Sequence, residues 1–249
     1  MSIFWTLLRR ELSSFFFSLT GYVIIAAVTL IIGSSFVMLI SNLGTDPVSK
    51  PVTEVFFNSL MYWLLVILMA PVITMRLFAA EKAAGTFETL MTTAVGDGQV
   101  VAAKFIAALV FYMLAWLPTL GGLLLVQHFT NQTRLDWPLL VGMYLGVFLS
   151  GGLFLSIGCL ASSLTKSQMV AAVVSLAAGV LLFILAYLAQ AVPASATPQA
   201  EVLFYFNLFQ QMEDFTRGVI DTRAVIFYLS ATFLFLFLTL RVVESRRWK

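Results

Sequence analysis

The chain has 249 residues, of which 61% are hydrophobic and only 10% charged, with a mean hydropathy of +0.99. Soluble domains carry about 25% charged residues, so this chain lacks the polar surface to cover a water-soluble globule and reads as an integral membrane protein. A net charge of +2 without a basic stripe argues against nucleic acid, and a single cysteine and a single histidine cannot build an intramolecular disulfide or a thiol and imidazole metal cluster.

The chain opens on a helical pattern over residues 3–17. Phe4, Leu8, Leu12 and Phe15 or Phe16 recur at helical spacing against Arg9, Arg10 and Ser13, with Trp5 as an interfacial aromatic. This spacing predicts an amphipathic helix lying on the inner membrane surface; a plain extension of the first span is the alternative. The apolar run 21–40 then exceeds the ~7–15 residues of a cleaved signal's core and fits a retained span.

Five more spans follow, at about 56–75, 105–127, 137–160, 169–190 and 224–240, each near the ~20 residues needed to cross a bilayer. None of the six windows holds Asp, Glu, Lys, Arg or His. Strand-like alternation is absent, so a barrel is rejected and an all-α membrane protein is expected, as one domain over residues 1–249. With the amino terminus inside, only Lys50, Arg134, Arg217 and Arg223 of the fourteen basic residues fall outside. Both termini are therefore expected to be cytoplasmic.

The connections carry the remaining signals. Inner loop 76–99 is charged, with a short helical piece over 86–93 and a Gly96-Asp97-Gly98 break. Phe87, Leu90 and Met91 there can form an apolar contact flanked by Glu81, Lys82 and Glu88, a place for a partner to push; a solvated connector is the alternative. Pro71 and Pro118 lie where they can kink spans two and three. In span four, Gly142, Gly146 and Ser150 lie four apart and let a helix approach closely, inside the bundle or at a dimer seam. A second inner loop, 161–168, offers Thr165 and Lys166. Outer segment 191–223 contains Pro193 and Pro198, then Val202, Phe206, Phe209 and Met212 beside Gln210, Gln211, Glu213 and Asp214. It reads as a re-entrant or surface-lying helix ended near Gly218, with Asp221 placed to N-cap the last span.

Several chemistries are missing. Span cores without ionisable groups argue against an ion-driven carrier. No lysine follows a glycine, so there is no phosphate-binding loop. No G-x-S-x-G elbow occurs, and His128 stands at an outer span end as an interfacial polar residue. Such a body needs an engine delivered by a partner.

The stretch Pro71-x-x-Thr74-Met75-Arg76, then Glu81-x-x-x-Gly85-Thr86-x-Glu88-x-Leu90, resembles the first cytoplasmic loop of type-2 ABC exporter permeases, the ABC-2 family. Residues Ser163-Leu164-Thr165-Lys166-Ser167-Gln168 resemble that family's second coupling loop. The run from Phe215 to Arg223, an aromatic span and then Arg246-Arg247-Trp248, is similar to its gliding-motility and copper-enzyme-maturation branches. Ala94-Val95-Gly96 departs from the proline that relatives often carry there.

The resemblance implies the six-helix fold of those permeases in a bacterial inner membrane and a non-enzymatic subunit without its own cofactor. It implies ATP and Mg bound by separate cytoplasmic ABC ATPase subunits, a second permease copy or paralogue, and a possible periplasmic or membrane auxiliary protein. The coupling residues would be Glu81, Gly85, Thr86, Phe87, Glu88, Leu90 and Met91. The function implied is export or mechanical work across the membrane. The alternative is a non-transporting anchor that relays ATPase motion to a periplasmic partner.

Overall fold

The computed structural model describes residues 3–43, 52–87, 96–130, 137–191 and 205–245, and every regular element among them is a helix. In chain order these are α1 (Ile3–Phe16), α2 (Leu19–Leu43), α3 (Val52–Phe57), α4 (Leu60–Thr74), α5 (Ala79–Ala83), α6 (Asp97–Ala115), α7 (Pro118–Thr130), α8 (Trp137–Leu164), α9 (Gln168–Ala191), α10 (Leu208–Thr216) and α11 (Thr222–Ser245). Among the described residues six stretches are long and apolar enough to cross a membrane: Leu19–Ser41, Leu60–Ala83, Asp97–Leu125, Trp137–Leu164, Gln168–Ala191 and Thr222–Ser245. The protein is a multi-pass membrane protein.

The amino-terminal helix is separate from the first span. The chain breaks at Phe17–Ser18, where the Ser18 hydroxyl donates to Phe15 O at 3.2 Å and accepts from Gly21 N at 3.1 Å. Helix α1 packs along α6. Its apolar stripe is pressed onto the bundle, with Leu8 and Phe15 buried and the Phe15 ring stacked on Phe111 at 4.9 Å, while Trp5 stays exposed.

Two span boundaries differ from the hydropathy reading. Phe56 and Phe57 belong to α3, and span two begins at Leu60, because Ser59 interrupts the run. Its hydroxyl donates to Phe56 O at 2.6 Å and accepts from Tyr62 N at 3.4 Å, ending one helix and capping the next. Span three begins earlier than residue 105, with Asp97 in its first turn and Gly96 as N-cap, so Lys104 lies within the helix. Hydropathy placed Asp97 in the inner loop and Lys104 just outside the span because it counts charges and does not see their partners. Proline acts differently in the two spans. Pro71 sits inside α4, whereas span three breaks at Trp116–Leu117 and restarts as α7 with Pro118 first, where its missing N–H costs nothing.

Helix α8 is the central element, packed against α4, α6, α9, α10 and α11. In lipid no hydrophobic effect drives helices together, so close approach through small residues does much of the work. A Cβ on Gly151 would strike the Tyr112 ring, and one on Gly158 would strike Thr74. The outward faces of α2, α9 and α11 carry exposed Leu30, Val37, Val173, Leu181, Ile226 and Phe233, a surface suited to acyl chains.

Candidate coupling site

At the end of the bundle that carries α1 and α5, the turn leaving span two is held by side chains from span four. The Ser162 hydroxyl of α8 accepts from Phe78 N at 3.1 Å and Ala79 N at 3.2 Å, and donates to Met75 O at 3.2 Å. Those backbone groups lie where α4 has stopped supplying partners, so one buried serine replaces the missing helical bonds. Lys82 of α5 is buried and donates to Ser163 O in the last turn of α8, a cation on the negative end of a helix. Its ammonium also lies 5.1 Å from the centre of the Phe87 ring.

Beside this lies a four-membered ion cluster. The Lys104 ammonium of α6 is 3.1 Å from Glu11 Oε1 on α1 and 2.9 Å from Glu81 Oε1 on α5, and sits over the Phe78 ring. Arg10 reaches the same two oxygens at 2.8 and 3.2 Å. Side-chain exposure rises from 2% at Lys104 through 11% at Glu11 and 22% at Glu81 to 52% at Arg10. The cluster thus runs from a desolvated ammonium out to a solvated guanidinium. Glu11's hydrogen bond raises the Arg10 pKa further, against the lowering effect of burial. A buried ammonium without counter-charges would cost several kcal/mol; here two carboxylates neutralise it and tie α1, α5 and α6 into one unit.

The anticipated site residues divide. Glu81 is in the cluster, and Phe87 is buried under Lys82. Gly85 takes φ +72, a conformation that favours glycine and turns the chain away from α5. Thr86 is exposed, with its hydroxyl 3.4 Å from Glu81 O. Glu88, Leu90 and Met91 lie outside the described residues, as does the side chain of His128. In the second loop, Thr165 Oγ1 accepts from Ser167 N at 3.0 Å and Lys166 is exposed; neither joins the cluster. The sequence reading missed Glu11, Lys104 and Ser162 as site residues. A signal existed for Glu11, which falls on the apolar stripe between Leu8 and Leu12 where a charge needs a partner.

Gly142, Gly146 and Ser150 lie toward the opposite end, under α10. A Cβ on Gly142 would strike Phe215 O, and one on Gly146 would come within 2.8 Å of Met212 Sδ. Ser150 Oγ is 3.0 Å from the Tyr62 hydroxyl. This face therefore seats a helix of the same chain. Asn207 caps α10 by accepting from Gln210 N, Gly218 leaves it at φ +78, and Asp221 Oδ1 accepts from Arg223 N at 2.8 Å at the start of α11.

A family model described as ABC-2 family transporter protein matches residues 11–243. No curated protein matches the chain.

Proposed function

The chain belongs to the ABC-2 transporter family, as the membrane permease subunit of an ABC transporter, and from that premise we propose that a separate cytoplasmic ATPase drives it through the α1–α5 end. The family implies partnership with an ABC ATPase. In this reading that end, with both termini, faces the cytoplasm of a bacterial inner membrane, and ATP and Mg are bound by the partner. The observation that carries the reading is the Lys104 cluster. It joins the segment leaving span two to the amino-terminal helix and to span three, while Ser162 and Lys82 join it to span four.

Such a joint passes on a push. A displaced α5 would strip the buried Lys104 ammonium of one of its two carboxylates and leave it with Glu11 alone, which is unfavourable for a desolvated charge. It therefore carries α1, α6 and α8 with it. Phe87, buried under Lys82, would anchor the segment to α5, and Leu90 and Met91 would supply the apolar face seated in the ATPase groove. The work would be export, or mechanical action on a substrate at the outer leaflet, by two permeases rocking against each other. We place the chain in the gliding-motility or copper-enzyme-maturation branch on the Phe215–Arg223 stretch.

Co-purification tests the docking. The full chain co-expressed with its cytoplasmic ATPase should retain the partner, and Glu88→Lys or Leu90→Asp with Met91→Asp should lose it. Full retention of the ATPase by both variants would refute the docking assignment.

A further inference from the structure

Span three is one membrane-crossing stretch built from two helices, and its halves have different neighbours. Helix α6 belongs to the unit of the ion cluster. It packs along α1, α8 and α11, with Lys104 on Glu11 and Glu81 and the Tyr112 ring over Gly151. Helix α7 packs chiefly on α2. A Cβ on Gly122 would strike the Phe36 ring of α2, which in turn stacks on Phe56 of α3 at 4.6 Å.

Between the halves the backbone changes its hydrogen bonding. Trp116 N donates to Met113 O at 3.2 Å, Leu117 N to Leu114 O at 3.1 Å, Thr119 N to Trp116 O at 3.1 Å and Leu120 N to Leu117 O at 3.0 Å. Each bond spans three residues instead of four, the tighter pattern that marks a hinge or strain inside a long helix. Pro118 fixes the place, because without an N–H it cannot serve Leu114 O four residues back. Two hydroxyls cover the break. Thr119 Oγ1 donates to Trp116 O at 2.6 Å, Tyr144 of α8 reaches the same carbonyl at 3.2 Å, and the two hydroxyls lie 2.9 Å apart.

We propose that the Trp116–Pro118 break is a hinge with the Tyr144 hydroxyl as its clamp: α7 swings with α2 about this point while α6 stays with the ion cluster.

The hydroxyl pair is what makes a hinge workable in lipid. A backbone carbonyl there cannot fall back on water, so a bend can change only if a partner follows it. Tyr144 has one proton to give and two acceptors within reach, Trp116 O and Thr119 Oγ1. It can pass from one to the other as the angle changes, while Thr119 keeps the carbonyl served. A fixed proline kink needs no second acceptor. Trp116 and Thr119 are deeply buried, which suits a pivot, the point that moves least; farther along α7, Leu124 and Leu125 are exposed. Because Tyr144 extends from α8, the clamp refers the hinge angle to the central helix.

The hinge does not depend on an ATPase and is tested on the full chain in nanodiscs. Spin labels are placed at the exposed positions Leu125 of α7 and Leu188 of α9, each changed to cysteine, with the buried Cys159 changed to alanine. Dipolar spectroscopy then gives the mean and the width of their separation. A control pair joins Leu188 to exposed Ile226 of α11, since α9 and α11 both pack on α8. Tyr144→Phe should at least double the width for the 125–188 pair and leave the control pair unchanged. Pro118→Ala restores an N–H and lets the helix run through. Leu125 lies about 10 Å along α7 from Pro118 at ~1.5 Å per residue, so removing a kink of about 20° should shift the mean by about 4 Å. An unchanged width in Tyr144→Phe, an unmoved mean in Pro118→Ala, or equal widening of the control pair would each overturn the hinge. If Tyr144→Phe does not purify as one species, Thr119→Val takes its place and is read by the same outcomes.

Discussion

Replacing Lys104 by methionine tests the ion cluster most severely. Methionine nearly fills the volume of the lysine stem, so packing over Phe78 is kept and the loss is electrostatic. Among the described residues, Glu11 and Glu81 would then share only Arg10, whose side chain is 52% exposed and whose attraction water screens. Stripping one partner from a buried pair costs about 3–5 kcal/mol; the remaining guanidinium and the partial exposure of Glu81 put Lys104→Met near the lower end, about 3 kcal/mol. For a chain of this length 1 kcal/mol corresponds to roughly 2–4 °C, so the apparent Tm in nanodiscs should fall by about 6–12 °C on that scale. Adding Glu11→Gln to Lys104→Met removes an orphaned carboxylate and should recover part of the loss, a coupling of about 1–3 kcal/mol. A single variant with an unchanged Tm, or a double variant as unstable as the two losses added, would refute the reasoning.

Other substitutions probe the joints around it. Gly142→Ala places a Cβ against the backbone oxygen of Phe215, which cannot rotate away, whereas Gly152→Ala meets only Thr232 Oγ1 at 3.7 Å. Thermal melts should show a loss of about 1–3 kcal/mol for the first and less than about 0.5 kcal/mol for the second. Ser162→Ala orphans two buried N–H groups and should cost about 1–3 kcal/mol for each, read as faster hydrogen exchange at Phe78 and Ala79. Asp214 has its folded pKa raised, chiefly by burial, so its contribution is full below the unfolded carboxylate pKa and is lost as pH rises through the folded value. The Tm of Asp214→Asn should therefore gain on that of the parent as pH rises from the acid side toward neutral, and a constant difference would contradict the assignment.

The six spans were legible because hydropathy over ~20 residues reports what a bilayer demands of a backbone. Their ends were not, because a single polar side chain decides each one: Ser59 moves the start of span two, and Gly96 lets α6 begin at Asp97. The small-residue stripe of α8 marked a close helix contact, yet its occupant, α10, lies far along the chain, and periodicity carries no information on such pairings. Glu81 and Phe87 could be picked out from the loop motif. Glu11 and Lys104 could not be paired from sequence, since they lie 93 positions apart and nothing along the chain records their meeting. Arg217 read as one of four outward cations, and only the fold brings Glu54 to it.

The central claim is that ATP turnover in a partner is converted to motion through the Lys104 cluster. The direct measurement is the ATPase rate and the transport or extraction rate of one reconstituted complex, for the parent chain and for Lys104→Met at a temperature where both are folded. The account predicts that the complex stays assembled and hydrolyses ATP while the work done per ATP falls at least tenfold. Undiminished work per ATP in that variant would contradict it.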